Sequence, residues 1–123
     1  MNKVELIGRI TNDLDLRYTQ STNKAVLRFS IAINKKVNGE NKADFINCVA
    51  WNNNAEFISK YFKKGQAIAV VGRLQNRSYE DEKGKHNITE VVVEENFFIG
   101  NKPEKEEAEI QNEDNNNDDE LPF

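Results

Sequence analysis

Residues 24–34, KAVLRFSIAIN, alternate without a break. Ala25, Leu27, Phe29, Ile31 and Ile33 share one phase, and Val26, Arg28, Ser30 and Asn34 are among those in the other. A period of two cannot line one face of a helix, so the stretch is predicted to be a strand with one buried side. VELIGRI ahead of it puts Val4, Leu6 and Ile10 in phase with Gly8, and DFINCVAW, QAIAVVGRLQNRSY and HNITEVVVEENFFI supply three further β-rich runs. Between the third and fourth runs, NNNAEFISKYFKKG repeats Phe57, Ile58, Tyr61 and Phe62 at helical spacing. Asn and Glu stand at its start as capping candidates, and Lys63, Lys64 and Gly65 stand at its end. Three strands, a short helix and two strands make an all-β chain with one helix. That is the order of an OB-fold, a five-stranded Greek-key barrel. A ubiquitin-like or other α+β roll fits the same element count.

The fourth run has the most unequal faces. Ile68, Val70, Gly72 and Leu74 read as core, while Arg73, Gln75, Arg77 and Tyr79 project from the other side. Guanidinium groups beside an exposed ring suit single-stranded nucleic acid, because the cations neutralise phosphates and the ring stacks an unpaired base. A merely solvated strand face has the same pattern. In the third run, Phe45, Asn47, Val49 and Trp51 oppose Ile46, Cys48 and Ala50. The compact set containing Cys48 suits the barrel interior, which leaves Phe45 and Trp51 as stacking candidates; core packing or a subunit interface is the other use of such rings.

The formal charge of −4 divides unevenly. Residues 1–100 hold 15 Lys and Arg against 12 Asp and Glu, a net of +3, and residues 101–123 hold 2 against 9, a net of −7. A mildly basic body, predicted as one domain over 1–100, therefore carries an acidic tail over 101–123 whose Asn-rich, apolar-poor composition predicts disorder. One cysteine and one histidine, His86, exclude an internal disulfide and a four-ligand zinc site of the usual kind. No apolar run approaches the ~20 residues of a membrane span, and no secretory signal is visible, so a cytoplasmic protein is expected. Neither a nucleophile beside a base nor a phosphate loop occurs, so no catalytic residue, metal or cofactor is expected.

These features converge on a family. Through MNKVELIGRITNDLDLRYTQSTNKAVLRFSIAIN, ADFINCVAWNNNAEFISKYFKKG, VVGRLQNRSYEDEKGK, TEVVVE and DDELPF, the chain resembles the bacterial single-stranded DNA-binding proteins over nearly its whole length. The resemblance implies an OB-fold that assembles as a homo-oligomer, usually a tetramer. It implies coating of single-stranded DNA during replication, recombination and repair. It places base stacking on Phe45, Trp51 and Tyr79 and backbone contacts on Lys3, Arg9, Lys35, Arg73 and Arg77. Where family members often carry another aromatic after the second strand, this chain has Val37. The tail ends in Asp118, Asp119, Glu120, Leu121, Pro122 and Phe123. A disordered, acidic approach to Phe123, stiffened by Pro122, is expected to dock into replication and repair proteins, as the tails of the family do. An acidic tail that only keeps the body soluble, or competes with DNA for its basic groove, would need the charges alone.

Overall fold

The computed structural model describes residues 1–100 of the 123. The elements are β1 (Val4–Ile10), β2 (Arg17–Tyr18), β3 (Ala25–Val37), β4 (Glu40–Trp51), α1 (Asn52–Tyr61), β5 (Ala67–Asp81) and β6 (Gly84–Phe98). Five long strands close on themselves in the order β1-β5-β6-β4-β3, because β1 pairs with both β5 and β3. The two residues of β2 add only an edge to β3. This is the expected OB-type barrel. No helix among the described residues is long and apolar enough to cross a membrane.

The predicted core phases hold: Leu27, Phe29 and Ile31 on β3, Ile10 on β1, Cys48 and Ala50 on β4, and Ile68 and Val70 on β5 are buried together, and Val91 and Val93 on β6, for which the sequence indicated no phase, complete the cluster. Closure demands two close approaches. At Gly8 an added Cβ would meet the Ala32 carbonyl, and at Gly72 it would meet the Val92 carbonyl. Gly72 also adjoins the register shift between Val71 and Gly72, where β5 bends around the barrel.

Three local expectations are corrected. Leu74, assigned to the core, is 48% exposed, because the barrel ends at Gly72 and β5 runs on into a hairpin arm. There the Asn2 side chain both donates to the Leu74 carbonyl (2.9 Å) and accepts from its amide (2.8 Å), continuing the β1 ladder in place of backbone. The start of α1 carries no side-chain cap; its N-cap is Trp51. Asn54 instead donates to the carbonyls of Val93 and Glu94, both at 3.3 Å, and ties the helix to β6. The helix buries Ala55 and Ile58, with Phe62 just beyond its end, whereas Phe57 is exposed. Gly65, expected to close the helix, lies past an extended Phe62. Its φ of +89° serves the turn that docks on β1 through Gly65 N–H to Ile10 O (2.7 Å).

Candidate nucleic-acid interface

Both long hairpins leave the barrel at one end. β3 and β4 turn through Asn38 and Gly39, whose φ values of +53° and +81° suit the tight mirror-image turn of a two-residue hairpin. β5 and β6 turn between Asp81 and Gly84. β4 and β6 run parallel and pair only at Cys48–Val91 and Val49–Val92, so ahead of those residues the two strands splay apart. The gap is an open cleft of about 370 Å³ bordered by Asn12, Arg28, Ser30, Asn47, Arg77 and Glu90, with Phe29 and Cys48 beneath.

The register places Phe45, Trp51, Arg73, Arg77, Tyr79 and Arg9 on one outer face. Arg28 lies across from Val49, Val49 across from Val92, and Val92 across from Arg73. Trp51 and Phe45 share the phase of Val49, and Gln75, Arg77 and Tyr79 share that of Arg73. Phe45 is 65% exposed and Tyr79 45%, while Trp51 is half-buried where β4 gives way to α1. Arg9 lies across from Ala32, which lies across from Phe45, so Arg9 joins the face on its β1 side. Lys3 is exposed just ahead of β1. Lys35, in the phase of Ile31 and Ile33 and paired with Lys42, projects from the opposite side of the β3–β4 arm to Phe45, so the register does not bring it onto this face. The tail residues Asp118, Asp119, Glu120, Leu121, Pro122 and Phe123 lie outside the described residues.

The basic groups are more committed than the sequence indicates. Arg77 Nε donates to Glu90 Oε2 at 3.1 Å, Arg9 Nη1 to the Gly65 carbonyl at 3.0 Å, and Lys35 sits 2.8 Å from Asp44. Arg73 is only loosely placed against Glu94, at 4.0 Å. Val49, read as surface, is fully buried on this side.

Sequence reasoning missed the centre of the face. Glu90 is the one buried charged side chain among the described residues, 3% exposed. Besides Arg77 it accepts from Arg28 Nη1 (2.9 Å) and Gln75 Nε2 (3.0 Å). The available signal was a carboxylate at the head of the apolar run of TEVVVE, in the phase opposite to Val91 and Val93. Beneath it, Cys48 is sealed in the barrel, and burial, with the Glu90 charge as a second cause, pushes its thiol up to about 12.

Comparisons with known proteins agree with the barrel fold. The family described as "Single-strand binding protein family" matches residues 1–99. A single-stranded DNA-binding protein of Streptococcus pyogenes is 47% identical over 102 residues, covering 80% of this chain and 78% of the relative. One from Listeria monocytogenes is 46% identical over 116 residues, covering 91% and 72%. Among solved structures, a complex of Plasmodium falciparum SSB with single-stranded DNA superposes with a TM-score of 0.71 at 26% identity, covering 81% of this chain and 96% of that one.

Proposed function

The chain belongs to the single-strand binding protein family, and from that membership we propose that it binds single-stranded DNA without sequence preference. It acts by stacking and charge, not by catalysis. The observation that carries the reading is the outer face itself: exposed rings at Phe45 and Tyr79 and the half-buried Trp51 share one side of the barrel with Arg28, Arg73 and Arg77. Unpaired bases offer π-faces to such rings, whereas a duplex keeps its bases stacked on each other. Lys3 and Arg9 extend the positive margin along which the backbone runs, and Lys35 adds a cation on the other side of the β3–β4 arm. The test is titration of the full chain with labelled oligothymidine against the same length of duplex. Tight binding of the single strand and weak binding of the duplex are expected; failure to bind oligothymidine would favour an OB-fold adaptor for other proteins.

The same reading extends to coating DNA during replication, recombination and repair in the cytoplasm, with residues 1–100 on the DNA. Assembly as a homotetramer is part of it. The exposed Ile7 on β1, beside Ala67 and Ile99 in a cleft that Arg9 and Asn34 also line, supports a surface for a second copy next to the β1 edge of the DNA face. The segment Asp118 to Phe123 recruits partner enzymes, since its acids supply attraction at a distance while Leu121 and Phe123 supply apolar anchors.

A further inference from the structure

We propose that Glu90 is a built-in counter-anion of the DNA-binding face, one that limits how many phosphates Arg28 and Arg77 neutralise while fixing where their remaining donors point. The inference rests on the reading that this face binds single-stranded DNA. A carboxylate that accepts from two guanidinium groups and an amide, all within 3.1 Å, is acting in its ionised, acceptor-only form. Buried as it is, it must keep charged partners. The three ionised groups therefore carry a net charge of +1, not the +2 that the sequence offers. Each arginine nonetheless gives Glu90 one hydrogen bond out of five N–H groups, and the side chains of Arg28 and Arg77 remain 48% and 37% exposed at the mouth of the cleft. A phosphate docking there meets two oriented forks but the charge of one.

Glu90 also ties β3 to the β5–β6 arm across the gap where β4 and β6 do not pair. That structural role would show in stability. The electrostatic one shows in salt dependence, because each phosphate neutralised by single-strand binding contributes about −0.7 to the slope of log K against log[salt].

The experiment uses the full chain and oligothymidine short enough to engage one subunit, titrated across a salt series, with melting curves to establish that each variant is folded. Wild-type binding is measured first, and its absence would sink the underlying reading itself. With binding present, Glu90→Gln is expected to steepen the slope by about 0.7, an additional loss of about 2.6-fold in affinity between 50 and 200 mM salt. Arg77→Gln is expected to flatten it by the same amount, and the Arg77→Gln/Glu90→Gln double variant to return to the wild-type slope. Should the single Glu90 variant not fold, the double variant against Arg77→Gln alone carries the same comparison. A lowered melting temperature with an unchanged slope makes Glu90 a structural tie only and overturns the proposal, as does a double variant no steeper than Arg77→Gln.

Discussion

Tyr79 and His86 stack across the β5–β6 hairpin, their ring centroids 5.0 Å apart and their planes 23° from parallel. His86 is held in turn by Asp81, whose Oδ1 lies 2.9 Å from its Nε2. One face of Tyr79 is thereby covered, and the other is left for a base. Tyr79→Ala is expected to weaken oligothymidine binding by about 1 to 3 kcal/mol, and Tyr79→Phe to leave it nearly unchanged, because stacking needs the ring and not the hydroxyl. Fluorescence anisotropy decides it. Equal affinities for all three chains would remove Tyr79 from the interface.

Trp51 is the only tryptophan, so its emission reports one place on the outer face. Saturating oligothymidine is expected to quench it if a base stacks there. Steady emission under binding verified by another method would sink the assignment. Phe is the replacement of choice for an affinity measurement, since it keeps a ring at the half-buried position where β4 gives way to α1.

The barrel was legible because its core is written in local periodicity: one phase of residues 25–31 alone supplies Ala25, Leu27, Phe29 and Ile31 to the interior. Periodicity says which side faces in, but not where the interior stops. Leu74 keeps the core phase two residues past Gly72, beyond the point where the barrel covers it. The rings and arginines of the outer face were legible for the same reason. Their couplings were not, because Arg28, Arg77 and Glu90 stand 13 to 62 positions apart and meet only when the barrel closes. Val49 was misread likewise: its cover comes from Val92 and Arg28 on neighbouring strands.

The acidic segment allows a separation of roles. Phe123→Ala is expected to leave oligothymidine affinity nearly intact while abolishing capture of replication and repair enzymes on immobilised protein. Replacing Asp118, Asp119 and Glu120 by Asn should also tighten DNA binding at low salt, as competition with the basic face is relieved. If Phe123→Ala retains the same enzymes, the aromatic is no anchor and only the charges act.

Gly72 is where closure is most sensitive to one methyl group. Its Cβ would fall on the Val92 carbonyl, a backbone atom held in the β5–β6 ladder that cannot swing aside. Gly72→Ala is expected to cost about 1 to 3 kcal/mol or more, as overpacking does, read as a lower urea midpoint. Gly39→Asn is the contrast, because that glycine has open space around its Cβ position and its left-handed backbone is one that Asn adopts readily. A midpoint unchanged by Gly72→Ala would mean that the strands can separate without loss.

Cys48 supplies a test of how tightly the floor of the cleft is sealed. Burial, and secondarily the charge of Glu90, raises its thiol from 9.0 to about 12 in the folded chain. Between those values the folded protein keeps a proton that the unfolded chain gives up. The stability contributed by the protonated thiol is thus fully present below pH 9 and is lost as pH rises toward 12, at up to about 1.4 kcal/mol per pH unit. Urea unfolding of the wild type and of Cys48→Ala between pH 8 and 10.5 isolates this effect, since tyrosines and lysines titrate in both chains and cancel. The stability advantage of the wild type is expected to hold from pH 8 to 9 and then shrink. Over the same range a thiol reagent should label the native wild type only as fast as the barrel opens, and labelling should become rapid in urea. A constant difference between the two chains, with prompt labelling of the native protein, would mean that water reaches Cys48 through the gap between β4 and β6, and that Glu90 and its two arginines do not close it.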